Sequence, residues 1–242
     1  MSADRSRRRN LLLAEFWSTD RSLTVLLFSL IVAVFVLYPL GDLPLVGDVL
    51  LTTFFSLILI SGVASVAKRR GEQLVAGGIA VIALGLRWAN LLFASNELRA
   101  WDAGGSLLSC GLLAAVVLLQ AYRQGPITIQ RIQGAVAAYI LIGLMFSSVY
   151  QLFVLLRPAA FNFSVRPADE SSHALSAQLL YFSFVTLTTV GYGDVTPVNP
   201  LLRSVVTMEA LIGQLFPAIT LARLVSLEIY HRQHGGDGKP QP

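Results

Sequence analysis

Six apolar stretches, at residues 22–41, 49–67, 73–94, 103–122, 132–156 and 201–227, limit what this chain can fold into more than anything else in it. Each holds about 18 or more mostly apolar residues, enough for a helix across ~30 Å of hydrocarbon. Inside a bilayer every backbone N–H and C=O needs an internal partner, so only helices and closed barrels span. Composition agrees: 55% of the residues are hydrophobic and 13% charged, with a mean hydropathy of +0.66. A soluble domain carries about a quarter charged residues. The expected fold is an all-α membrane protein with six transmembrane helices.

A further uncharged stretch, 171–193, lies between the fifth and sixth runs and behaves differently. Its second half reads Thr188, Thr189, Val190, Gly191, Tyr192, Gly193, with Asp194 next. That composition cannot continue a helix, and irregular backbone at membrane depth persists only where protein or a water-filled pore surrounds it. The stretch therefore reads as a re-entrant helix at 175–187 and a loop at 188–194. Glycine adopts positive φ at little cost, so successive carbonyls can turn the same way. A line of such oxygens can replace the water around a dehydrated cation.

The charges orient this topology. Six spans put both termini on one side, together with Arg5, Arg7, Arg8, Arg9, Arg21, Lys68, Arg69, Arg70, Arg123, Arg131, Arg223, Arg232 and Lys239. Only Arg99, Arg157, Arg166 and Arg203 fall opposite, and Arg87 lies within the third run. The basic side is the cytoplasmic one, so a plasma membrane protein with both termini inside is expected. Were 171–193 to span fully, Arg203 would replace Arg223 inside and the bias would weaken. The net charge of +4 thus belongs to loops and not to a nucleic-acid surface.

Residues 1–22 form a basic, interfacial N-terminus, with Leu11, Leu12, Leu13, Phe16 and Trp17 placed to lie along headgroups. The next run is long enough to span and lacks a small-residue cleavage site, so no cleavable signal peptide is expected. Residues 23–122 form a four-helix peripheral domain, 123–131 a cytoplasmic linker and 132–230 the pore domain. Residues 231–242 read as a short disordered tail, leaving no cytoplasmic ligand domain. The single cysteine, Cys110, allows no intrachain disulfide. His173, His231 and His234 give neither a nucleophile–base pair nor metal-ligand spacing, so neither an enzyme nor a cofactor is expected.

The loop at 188–194 matches the TVGYG filter of potassium channels letter for letter. From about 132 to 230 the chain resembles the two-helix pore module of tetrameric potassium channels. As a whole it resembles six-helix prokaryotic potassium channels without a large cytoplasmic domain. Residues 181–194, YFSFVTLTTVGYGD, fit the family's pore helix and filter, and Gly213 stands where the family has its inner-helix hinge glycine. The resemblance implies a homotetramer in a lipid bilayer, each subunit giving one quarter of a cage. It implies K+ as the permeant ion, held by the carbonyls of Thr189, Val190, Gly191 and Tyr192 and the Thr189 hydroxyl. Tyr192 would face away from the axis. Gln214 and Leu221 would line the cavity, and Pro217 would bend the inner helix near the gate.

Some family members carry a glutamate four residues before the first filter threonine, bonded to the aspartate after the filter. Here that position is Val185, and others' pore-helix tryptophans are Tyr181 and Phe182. The Tyr181 hydroxyl is expected to bond Asp194 instead. Glu209, an ionisable group within a span, needs a partner or water. It is read either as a carboxylate behind the filter, bonded to Ser183 or Thr186, or as a snorkelling residue near the outer interface. The fourth run, 103–122, has no arginine, so steep voltage gating is not expected. Arg87 reads as structural, snorkelling or paired with Glu97 or Asp102. Passive potassium conduction leads; the alternatives are a weakly selective cation channel and a scaffold or sensor subunit with a vestigial pore.

Overall fold

The computed structural model describes residues 19–37, 49, 52–53, 55–56, 70–93, 95–122, 128–164 and 172–235. Its helices are α1 (Thr19–Ile31, continued by a π-helical segment Val32–Leu37), α2 (Arg70–Phe93), α3 (Asn96–Ala121), α4 (Ile129–Leu156), α5 (Ser172–Leu187) and α6 (Pro200–Gly235). Two short strands, β1 (Phe161–Phe163) and β2 (Val195–Pro197), pair antiparallel with Phe161 opposite Pro197 and Phe163 opposite Val195.

Among the described residues, three helical segments are long and apolar enough to cross a membrane: Glu97–Ala121, Ile129–Leu156 and Pro200–Ser226. The apolar part of α5, Ala174–Leu187, is shorter. At ~1.5 Å per residue it falls short of a ~30 Å core.

The packing radiates from α4. Helices α1, α3 and α5 all lie against it, while α2 packs on α3 and α6 on α5. Small residues make this possible. A Cβ on Gly134 would reach 3.0 Å from Leu23, and one on Gly143 would meet the Phe184 ring at 2.9 Å. In lipid, where apolar side chains gain little by leaving the solvent, such close backbone approach drives helix association. One core joins Leu23, Leu26 and Leu30 of α1 to Val117 of α3, Leu141 of α4 and Leu180 of α5. A second joins Phe146 and Tyr150 of α4 to Phe161, Leu179, Phe182, Val195 and Leu202. Tyr150, Phe161 and Phe182 meet there edge to face, with centroids 5.2–5.7 Å apart. Among the described residues, α1 and α3 therefore rest on the α4 of their own chain.

Several boundaries differ from those read in the sequence. Helix α3 begins at Asn96 and not near 103, because Ser95 caps it through Leu98 N–H at 3.2 Å and Glu97 complements its first turn. Helix α6 continues to Gly235, which moves the inner-helix end from 227 and takes 231–235 out of the expected tail. Residues 226–234 contain neither glycine nor proline, so nothing stops the helix sooner. The β pairing was not expected between Arg157 and Glu170. Arg87 lies over the Phe55 ring, 4.4 Å from its centroid. Most of the second run (49–67), the N-terminus to 18, the linker at 123–127 and residues 236–242 lie outside the described residues.

Candidate functional site

The end of α5 determines the course of the loop at 188–194. A helix leaves its last four carbonyls without helical partners, and here all four find one. Phe184 O accepts from Thr188 N–H at 2.9 Å, and Thr186 O from Thr189 N–H at 2.9 Å. Val185 O accepts from Val190 N–H at 2.9 Å and Gly191 N–H at 3.3 Å. Leu187 O accepts from the Tyr139 hydroxyl of α4 at 2.9 Å. The loop's amides thus turn back onto the helix they leave.

Its dihedrals alternate. φ is positive at Thr189 (60°), Gly191 (59°) and Gly193 (80°), and at no other described residue. Left-handed residues alternating with ordinary ones turn successive carbonyls toward one side. Among the described residues no donor reaches the carbonyls at 189–192. Thr189 is the only described residue other than glycine in this region, a conformation that costs a β-branched side chain energy.

Beyond the loop the chain is pinned in place. Ser164 N–H donates to Asp194 O at 2.8 Å, β2 pairs with β1, and Val198 N–H donates to Ala160 O at 2.8 Å. Asn199 then caps α6, accepting from Leu201 N–H at 2.9 Å and Leu202 N–H at 3.2 Å, with Pro200 at the first helical position. The Tyr181 hydroxyl faces the Asp194 carboxylate, and the Tyr181 and Tyr192 rings stack with centroids 6.3 Å apart.

Behind the loop, Glu209 is wholly buried. It accepts from the Tyr150 hydroxyl, and its other oxygen lies 2.5 Å from Ser183 Oγ. The structure thus brings Glu209 to α5 and not to an interface, and Thr186 is not its partner. Gly213 is buried against the Leu187 backbone, whereas Gln214, Pro217 and Leu221 sit on an exposed face of α6. Helix α6 runs through Pro217 unbroken. Tyr122 and Thr220 join the end of α3 to α6 by a hydroxyl pair at 2.6 Å. Tyr139 and Tyr150 escaped the sequence reading, although their spacing of three helical turns puts both on one face of α4.

Residues 138–229 match a family described as an ion channel. The chain is also similar to Protein LctB of Bacillus caldotenax, with 36% identity over 87 residues, which cover 36% of this chain and 64% of that protein. It is similar to Protein LctB of Geobacillus stearothermophilus, with 42% identity over 65 residues, 26% of this chain and 48% of the relative. The chain therefore spans less than two thirds of the length of either relative. No solved structure gives a significant match. The family match falls on α4, α5, the loop and α6 together, and it points to a membrane ion channel and not to an enzyme.

Proposed function

We propose that four copies of this chain close around a common axis and conduct potassium passively across the plasma membrane. The supporting observation is the alternation of φ at Thr189, Gly191 and Gly193, with the carbonyls at 189–192 left without donors. Four such loops facing one axis make stacked oxygen rings that replace the hydration shell of K+. Tyr192, stacked on Tyr181, braces each loop from outside.

The ring of four also gives α6 a partner. Met208, Leu211, Leu215 and Ile219 recur along one face of that helix and are 50–58% exposed in the single chain. In this reading 171–193 is the re-entrant segment of a six-span protein whose termini are cytoplasmic. The inner helix has a weak point, because Pro217 has no N–H to give the carbonyl of Gly213 four residues earlier. With no arginine in 103–122, opening is not steeply voltage-dependent; each charge moved gains only ~2.3 kcal/mol per 100 mV.

Reconstitution in liposomes tests this. Potassium uptake well above sodium uptake, blocked by barium, and a tetrameric mass in detergent are expected. Equal sodium and potassium uptake would favour the weakly selective channel, and no uptake the scaffold or sensor subunit.

A further inference from the structure

Three oxygen–oxygen contacts meet behind the pore helix. Ser183 Oγ lies 2.8 Å from the carbonyl oxygen of Gly143 and 2.5 Å from Glu209 Oε1, and the Tyr150 hydroxyl reaches Glu209 Oε2. Each needs a proton between its oxygens. A carbonyl and an ionised carboxylate only accept, and the two hydroxyls bring one proton each. If Glu209 were ionised, three contacts would share two protons. Ser183 would have to split one proton between two acceptors.

We infer that Glu209 carries a proton and acts, as a neutral acid, as the positioning residue that fastens α5 to α4 and α6. The count then closes. Tyr150 donates to Oε2, protonated Oε1 donates to Ser183 Oγ, and Ser183 donates to Gly143 O. A single directional chain runs from α4 through α6 and α5 and back to α4.

The surroundings agree. Glu209 is wholly buried, and among the described residues no cation pairs with it. The titratable groups facing it are Tyr150 and Tyr139, both on α4. α5 presents the Ser183 hydroxyl, and α6 adds no second titratable side chain there. A buried carboxylate without a cation bears its desolvation cost uncompensated. What this fastening serves rests on the proposed pore, since Ser183 lies six residues before the first loop carbonyl; the protonation itself does not.

Infrared difference spectra of the full chain in liposomes at neutral pH, wild type against E209Q, test the protonation directly. A carboxylic-acid C=O band present in wild type, absent in E209Q and shifted in Y150F is expected. An ionised-carboxylate band in its place, or a C=O band indifferent to Y150F, overturns the inference. Glutamine can donate to Ser183 and accept from Tyr150, so E209Q should keep potassium uptake within a fewfold of wild type. Wild-type uptake should fall on the order of tenfold as alkaline pH ionises Glu209, while E209Q stays flat. An alkaline fall of equal size in E209Q would also overturn it. The band is read whether or not the protein conducts, so an intact band without potassium uptake counts against the pore alone.

Discussion

A Cβ on Gly213 would stand 1.8 Å from the carbonyl oxygen of Leu187. Helix α6 therefore touches the end of α5 backbone to backbone, at the residue from which the loop at 188–194 departs. The obstacle is main chain and cannot rotate away.

Gly213→Ala should accordingly push α6 off α5 at a cost of about 1–3 kcal/mol or more. We expect a lower thermal midpoint, loss of the assembled oligomer and loss of potassium uptake together. A glycine kept only for bending would behave otherwise: alanine would alter opening and leave thermal stability and assembly intact.

Removing the Tyr139 hydroxyl strips the Leu187 carbonyl of its donor at 2.9 Å. A buried acceptor without a partner costs about 1–3 kcal/mol. Tyr139→Phe keeps the ring contact with Phe216, whose centroid is 5.3 Å away. Thermal unfolding should therefore report the lost bond alone, and an unchanged midpoint would show that Leu187 O does not depend on it.

Gly191→Ala and Gly193→Ala test the loop's backbone. Both glycines have positive φ, and a Cβ on either would meet nothing within 4 Å in the single chain. The penalty is thus conformational, about 1–2 kcal/mol at each site. Uptake in liposomes should lose its preference for potassium over sodium while the purified oligomer persists. Retained selectivity in both variants would count against the left-handed alternation as the basis of ion coordination.

What could be read from the sequence divides along physical lines. The end of α5 and the loop after it were legible because their chemistry is local: glycines at 191 and 193 admit the positive φ found there. The ends of α4 at Leu156 and α5 at Leu187 were legible because hydropathy or helix-forming composition changes there. Tyr150 and Tyr139 were not, since their partners lie 59 and 48 residues away and nothing near either tyrosine marks a hydrogen bond. The start of α3 at Asn96 was missed because hydropathy stops at Asp102 whereas a capped helix tolerates a charged first turn. The three-residue strands were missed because each is held by the other, with the whole of α5 and the loop between them.

Tyr181→Phe removes the hydroxyl that faces Asp194 and keeps the ring stacked on Tyr192. Tyr181 is 41% exposed, so solvent screening keeps this interaction small. We expect uptake to decay faster after potassium is withdrawn, as loops lacking this brace lose their shape sooner. Unchanged decay and unchanged potassium-dependent thermal stability would remove Tyr181 from the filter's supports.

The hydroxyl pair of Tyr122 and Thr220, at 2.6 Å, ties the end of α3 to α6 three residues beyond Pro217. Pro217 leaves the Gly213 carbonyl without its helical donor, so α6 is weakest just before this tie. The tie therefore connects the peripheral helices to the segment of α6 most able to move. Tyr122→Phe and Thr220→Val each remove it, and each should shift the balance between conducting and silent protein about fivefold, the worth of a bond of about 1 kcal/mol. Because both substitutions delete one interaction, the double variant should shift it no further. Single-channel open probability measures this directly. Additive shifts would mean that the two residues act through separate contacts.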